Sequence, residues 1–404
     1  MAMVNMRDLI YHAYENRYAV CSFEVAGIDM LSGLLKAAEQ CRSPVILMIS
    51  ETCLGDADIG ILMAAVERAA QRTQVPVAIQ FDHVTGEKGL CRGIRVGCNG
   101  IMFDTAQETL PVNIQKTLDI TELAHRCGIA VEGKLGFTSH DEEQDRDDHA
   151  DNETFTNVPE AKAFVERTGV DFLAVTIGGG NGTRKARTRL DYQRLAKINQ
   201  TIDIPLIIHE DHELSEDQHF KLISHGVAKI DYAAILFDGN GERLRTTGKK
   251  SHGDYSSAVR QSAEQKALQY MHLCGSAGRA AEVMMQCRAW TNVEHVIIYN
   301  TTLTRDADIQ HMISKGIEVL SQIPGVREVN GGRSVTPDSK FAYTWLIKFC
   351  SPEVVEYYKN HPAHKHYADI EFRPNAGERI TTDFEILNFN DGPRPDQVIY
   401  RATG

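Results

Sequence analysis

Residues 44–84 read PVILMISETCLGDADIGILMAAVERAAQRTQVPVAIQFDHV. An apolar run of strand-forming residues (PVILMI, 44–49) gives way to an amphipathic stretch of helical period (DIGILMAAVERAAQRT, 58–73). A second apolar run (PVAIQF, 76–81) follows and ends on an Asp-His pair. The same two signals alternate through the first 240 residues. Further strand-like runs lie at 18–25 (YAVCSFEV), 100–103, 129–132, 171–177, 205–209 and 228–232. Helical stretches between them include MLSGLLKAAEQC, LPVNIQKTLDITELAHRCG and PEAKAFVERTG. One β/α unit recurs about every 30 residues. Eight apolar strands alternating with helices predict a closed parallel (β/α)₈ TIM barrel. An open doubly wound sheet shares the alternation, but it usually carries a Gly-rich turn after its first strand, and none is present.

The pattern changes late in the chain. Residues 240–292 hold a basic, polar stretch (RLRTTGKKSHGDYSS), read as a solvated linker, and then helical sequence. From 293, VEHVIIYN reads as a strand, DADIQHMISKGIEVLSQI as a helix, and PGVREVNGGRSV and FAYTWLIKFC as strands. A second helix (SPEVVEYYKNHPAHKHYA) and a last strand (ERITTDFEIL) complete a βαββαβ order, the ferredoxin-like α+β arrangement. The expected division is a barrel over 1–290 and a small α+β domain over 291–404, ending in an irregular tail. Two cores suit a chain of 404 residues.

Bulk properties narrow the function. A net charge of −12 argues against nucleic acid or an anionic membrane as partner. No apolar run reaches the roughly 18–20 residues that span a bilayer. The N-terminal sequence lacks a basic segment followed by an apolar core, so a secretory signal is not expected. The 9 cysteines form no CxxC and no paired spacing, which predicts reduced thiols and a cytoplasmic protein.

In a barrel of this kind, chemistry sits at the C-terminal ends of the strands. Those ends carry Glu24, Ser50, Asp82 with His83, Asp104, Glu132 with Lys134, Asn181, His209 and Asp231. Packing alone calls for no such ring of polar residues. An Asp-His pair at a strand tip lets one side chain bind metal while its neighbour handles protons.

On these residues the segment from about 4 to 280 resembles the class II, metal-dependent fructose- and tagatose-bisphosphate aldolases. YAVCSFEV is similar to the family's YAVGAFNV, PVAIQFDH to its PVALHLDH, and VEGKLG to its VEAELG. TGVDFLAVTIGGGNG, IPLIIHEDHE, GVAKID and CGSAGR match further family segments in the same order. The resemblance implies a lyase that makes or breaks a C–C bond beside a carbonyl. It also implies a divalent metal, Zn²⁺ foremost, and a small carbonyl substrate. It places His83 and His209 as metal ligands, Asp82 and the loop carboxylate Glu142 as proton carriers, and Asp104 and Glu132 as acids near the metal.

The departures are informative. The family's third metal-binding His is Asn181, and its second Glu in VEAELG is Lys134; His212 or Glu132 is a candidate to complete the metal shell. The Gly-rich loop that presents backbone N–H groups to a phosphate reads His209-Glu210-Asp211-His212-Glu213. Asp231 stands in the phosphate-binding run after strand 8, and Glu24 replaces a substrate-binding Asn. These acids repel a phosphate dianion. The expected substrate lacks phosphate at that end, and an amine-bearing compound fits. Gly178, Gly179, Gly180 and Lys185 still suit one anionic group. Two other readings stay open. In one, Lys134 acts as nucleophile or base without metal; in the other, the barrel is inactive and serves as a binding or regulatory module.

The C-terminal segments VEHVIIYNT and YYKNHPAHKHY resemble the stress-responsive dimeric α+β barrel (Dabb) family. That resemblance implies a homodimer or higher homo-oligomer. Capping or packing is the expected role of His361, His364 and His366.

Overall fold

The computed structural model describes residues 2–50, 56–136, 155–178, 190–210, 214–232 and 252–386. Eight parallel strands close into a barrel in sequence order: β1 (Val20–Glu24), β2 (Val45–Ser50), β3 (Val77–Val84), β4 (Gly100–Phe103), β5 (Ala130–Leu135), β6 (Phe172–Val175), β7 (Leu206–Glu210) and β8 (Val227–Tyr232). β1 pairs with both β2 and β8, so no strand edge is left open. A first helix, α1 (Met6–Glu15), precedes β1. The helices after successive strands are α2 (Ile28–Cys41), α3 (Asp56–Arg72), α4 (Glu87–Val96), α5 (Leu110–Arg126), α6 (Val158–Thr168), α7 (Tyr192–Thr201) and α8 (Glu216–Ser224), then α9 (His252–Leu273) and α10 (Ala280–Gln286). Among the described residues no helix is long and apolar enough to cross a membrane.

The starts of α1, α6, α7 and α8 are fixed by sequence. Asn5, Asn157, Asp191 and Ser215 each accept a hydrogen bond from a backbone N–H of the first turn. α1 closes the N-terminal end of the barrel. Its Met6, Leu9, Ile10 and Ala13 pack against Ile46, Ala78, Ala130, Phe172, Ile207 and Ala228 at the bottoms of the strands. Gly100 makes room there for the Met6 side chain, whose Sδ would meet a Cβ at that position. With that end plugged by apolar side chains, polar groups inside the barrel are reached from the C-terminal ends of the strands.

A separate sheet begins at Val293. Strands β9 (Val293–Thr301), β10 (Val326–Arg333), β11 (Tyr343–Phe349) and β12 (Ala376–Glu385) form an antiparallel sheet in the order β10-β11-β9-β12, as βαββαβ predicts. Helix α11 (Asp306–Leu320) and the pair α12 (Val354–Asn360) and α13 (Pro362–Tyr367) cover one face, burying Tyr299, Trp345, Ile347 and Phe349. The single helix expected over 351–368 is broken at Pro362, which lacks an N–H and holds His361 extended (φ −63°, ψ 133°). His361 caps α13 by accepting from Ala363 N at 3.3 Å. On the other face the registers align Leu346 with Val296 and Ile298 with Ile380. Leu346, Ile380 and Phe384 are 42–51% exposed there.

The sheet unit docks on the outside of the barrel through β10. Arg327 forks onto Glu67 of α3 with two 2.7 Å hydrogen bonds and donates to Asn292 Oδ1 at 3.1 Å. Arg95 of α4 donates to the Ser321 carbonyl, and Ser351 Oγ to the Cys127 carbonyl. Both charged side chains of the Arg327–Glu67 pair are largely buried. Glu67→Ala strands the guanidinium in the contact and is expected to lower stability by about 3–5 kcal/mol, read by urea unfolding. A smaller loss is expected for Glu67→Gln, which keeps an acceptor.

Candidate active site

Alternate residues of each strand face the barrel interior. At the upper level these are Glu24, Ser50, Asp82, Asp104 just after β4, Lys134, His209 and Asp231. One layer below come Ser22, Gln80, Glu132 and Lys229. The inward direction is set by contacts that cross the barrel: Lys229 Nζ on β8 lies 2.7 Å from Glu132 Oε2 on β5, and those strands are not neighbours. The strand expected to end at 132 continues to Leu135, which puts both Glu132 and Lys134 on the inner face.

Strict alternation would turn His83 outward, since Asp82 faces in. β3 avoids this with one extra residue: Phe81 pairs with Ile101 and Val84 with Phe103, three steps against two. His83 takes up the slack with φ +56°, a left-handed conformation that β-strand residues rarely adopt. The distortion turns the ring to the mouth, where Nδ1 lies 3.2 Å from Asp104 Oδ2 and Nε2 lies 3.5 Å from Asp82 Oδ2. Backbone strain at this one position lets two successive side chains serve one cavity. A second irregularity, between Leu206/Ile207 of β7 and Val227/Lys229 of β8, brings Lys229 and Asp231 to the inner face.

Below the mouth, charges are tightly paired. Glu132 Oε1 lies 2.7 Å from His209 Nε2, and Asp231 Oδ2 lies 3.2 Å from the same nitrogen. Lys229 Nζ bridges the two acids, at 2.7 Å from Glu132 and 2.6 Å from Asp231. Gln80 donates to Glu132 Oε2 at 2.9 Å. Burial alone would raise the Glu132 pKa, but Lys229 and His209 overcome it and hold the group down at about 2. Burial would likewise neutralise Lys229, yet Asp231 and Glu132 keep it charged. His209 is pulled down by burial and pushed up further by Asp231 and Glu132, so it ends above its ordinary value.

At the mouth the pattern repeats. Asp104 Oδ2 accepts from Lys134 Nζ at 2.9 Å and faces His83 Nδ1. Burial would raise the Asp104 pKa, but His83 and Lys134 drive it well below the carboxylate range. The bond to Asp104 raises His83 against the opposing effect of burial. Asp82 goes the other way. Burial pushes it up, His83 and His209 pull it back, and Asp231 reinforces the rise. Asp82 Oδ1 is buried with no hydrogen-bond donor among the described residues. A carboxyl held toward its neutral form, with one oxygen uncommitted, suits proton transfer.

The cavity offers two candidate donor sets for a cation. The compact trio Glu132, His209 and Asp231 offers ligand atoms within 4.8 Å of one another. Both of its carboxylates already bracket Lys229, so an ion among them would stand against an ammonium. The second set is His83 Nε2 and His209 Nδ1. Each imidazole has its other nitrogen anchored to a carboxylate, the arrangement that orients metal-binding histidines. Asp82, with one uncommitted oxygen, lies 3.5 Å from His83 Nε2 and within the electrostatic reach of His209.

Thus Asp82, His83, Lys134 and His209 share one cavity, with Glu132, Asp104 and Asp231 among them. Glu24 and Ser50 lie at inward upper positions of β1 and β2. Gly178 follows β6 with φ +128°. Glu142, Gly179, Gly180, Asn181, Lys185, Asp211 and His212 lie outside the described residues, as does the side chain of Glu210. Reading only the strand ends misses Lys229 and Gln80. Counting back two residues from Asp231 and from Asp82 finds both, and a lysine inside the apolar strand VAKIDY is itself a signal. Lys229→Met leaves Glu132 and Asp231 without their shared cation. It is expected to destabilise the barrel by about 3–5 kcal/mol in denaturant melts. Adding Glu132→Gln and Asp231→Asn to Lys229→Met should recover most of that loss.

Comparison with known proteins converges on this barrel. The family described as class-II fructose-bisphosphate aldolase matches residues 4–279, and the stress responsive A/B barrel domain matches 293–386. A fructose-bisphosphate aldolase from Thermus caldophilus is 29% identical over 69% of this chain and 100% of its own length. A sulfofructosephosphate aldolase from Alkalicoccus urumqiensis is 26% identical over 66% of this chain and 93% of its own. Among solved structures, the YdjI aldolase from Escherichia coli K12 superposes with a TM-score of 0.62 at 27% identity, over 69% of this chain and 99% of that one. The chain belongs to the class II fructose-bisphosphate aldolase family of lyases and carries a stress-responsive A/B barrel domain after its barrel.

Proposed function

We propose that the barrel is a divalent-metal-dependent lyase that makes or breaks a C–C bond beside a carbonyl, on a substrate without phosphate at the acidic end of the pocket. Zn²⁺ is the proposed metal, held by His83 and His209, with Asn181, Glu132 or His212 as candidates to complete its shell. When bound, such an ion polarises a carbonyl oxygen. The observation that carries the reading is the placement of Asp82. It is buried beside His83 and within the field of His209, raised toward its neutral form and free at Oδ1 among the described residues. We assign it the proton transfer at the substrate hydroxyl, with Glu142 as a second proton carrier. Asp104 and Glu132 hold the rings, and the buried walls keep water from the reacting carbons.

The charge of the cavity supports the substrate class. Among the described residues, Glu24, Asp104, Glu132 and Asp231 face two ammonium groups, Lys134 and Lys229, while Asp82 is held toward its neutral form. A phosphate dianion meeting one of these acids costs about 1–4 kcal/mol per close pair, whereas an amine gains from them. Lys134 is a poor candidate for a free amine nucleophile, because its Nζ is bonded to Asp104. We place the boundary between the two units near 290. The exposed apolar sheet face of Leu346, Ile380 and Phe384 is assigned to a second copy of the chain, making a cytoplasmic homodimer.

Removal of metal by a chelator is expected to abolish aldol cleavage, and Zn²⁺ or Co²⁺ to restore it. Asp82→Asn should lower kcat by about 10²–10⁴-fold while metal content stays unchanged. Ordinary turnover of a bisphosphorylated ketose would remove the substrate assignment, and turnover that survives chelation would remove the metal. For the dimer, Leu346→Asp with Ile380→Asp should give monomers in sedimentation experiments, with the barrel still folded.

A further inference from the structure

The two histidines of the cavity are anchored by the same device, built twice from different strands. At the mouth, Lys134 Nζ lies 2.9 Å from Asp104 Oδ2, the oxygen that also faces His83 Nδ1 at 3.2 Å. Deeper, Lys229 Nζ lies 2.7 Å from Glu132 Oε2, while Oε1 of the same carboxylate lies 2.7 Å from His209 Nε2. The second unit closes into a ring, because Asp231 touches both Lys229 at 2.6 Å and His209 Nε2 at 3.2 Å.

We propose that Lys134 and Lys229 are positioning residues, each acting through its carboxylate to fix the tautomer and orientation of one histidine. A carboxylate with a single partner turns about its χ torsions, and the imidazole it accepts from turns with it. An ammonium on the far side fixes that rotation and occupies the carboxylate, so the acid presents an acceptor to the ring. The ring nitrogen facing it must then carry the proton. Lys134 therefore leaves His83 with its lone pair on Nε2, and Lys229 leaves His209 with its lone pair on Nδ1. Asp231 ion-pairs with Lys229 and lies against His209 Nε2 through Oδ2, so it belongs to this ring as a further anchor.

The role of the lysines for metal binding rests on reading His83 and His209 as the metal-binding pair. It makes a prediction opposite in sign to simple charge repulsion. If the lysines were only cations close to a cation, removing one would tighten metal binding. If they position the rings, removing one weakens it, and disturbed outer partners of metal-binding histidines typically cost about 10–100-fold in affinity.

The test uses the full chain, freed of metal, with Co²⁺ alone as the titrant. Lys134→Met removes the upper anchor at a partly accessible site. Lys229→Met combined with Asp231→Leu removes the lower one without leaving an unmatched pair of buried acids. Both variants are expected to bind Co²⁺ roughly 10–100-fold more weakly than the parent. A second readout needs no metal: ¹⁵N spectra of the histidines at a pH where both rings are neutral. In the parent, His83 should be protonated on Nδ1 and His209 on Nε2. Each variant should show a mixture of tautomers at its own histidine and leave the other unchanged. Unchanged or tighter Co²⁺ binding, or tautomers that do not respond, would overturn the proposal. A parent that takes up no Co²⁺ defeats the metal reading, and the tautomer spectra still decide the role of the lysines.

Discussion

The site depends on keeping ionised carboxylates inside a barrel whose far end is closed by apolar side chains. A carboxylate buried without a partner gives up its charge, because losing water costs several kcal/mol per ion. Glu132 is fully buried, and it stays ionised because Lys229, Gln80 and His209 occupy its oxygens. The same lysine holds Asp231. Four strands, β3, β5, β7 and β8, meet in this cluster, so barrel closure and site geometry are one problem. If a member were lost, the others would be pushed toward neutrality and the orientation of His209 would go with them.

Asp82 shows what happens when that support is withheld. It lies on β3 and is equally buried, yet no lysine among the described residues bonds to it, and its pKa rises instead of falling. Two groups of acids in one cavity are therefore set to opposite tasks by their partners. Asp104, Glu132 and Asp231, which touch an ammonium, stay as fixed acceptors, and Asp82, which bonds to none among the described residues, is poised to exchange a proton. The separation of acid–base roles by environment needs no difference in residue type.

Much of this was legible in the sequence. The alternation of apolar strands with amphipathic helices pointed to the barrel, and the βαββαβ order to the second sheet, because both follow from burial periodicity. Strand-end residues Asp82, His83 and His209 were visible as polar interruptions of apolar runs. What local pattern could not supply was the backbone irregularity at His83, since a left-handed turn inside a strand depends on the register of its neighbour β4. Nor could it pair Lys134 with Asp104: the repelling cation implied by its spacing is engaged by an acid 30 residues away in sequence. Lys229 escapes for a different reason. It lies one layer below the strand ends, where attention to the mouth does not reach, although period-two counting does.

The proposed chemistry requires His83 and His209 to turn Nε2 and Nδ1 toward one bound ion while Lys229 stays paired with Glu132 and Asp231. Anomalous diffraction at the zinc edge from metal-loaded crystals measures it directly. One strong peak is expected within bonding distance of those two nitrogens, with the Lys229 contacts intact. A peak among Glu132, Asp231 and His209 Nε2, with Lys229 displaced, would contradict it.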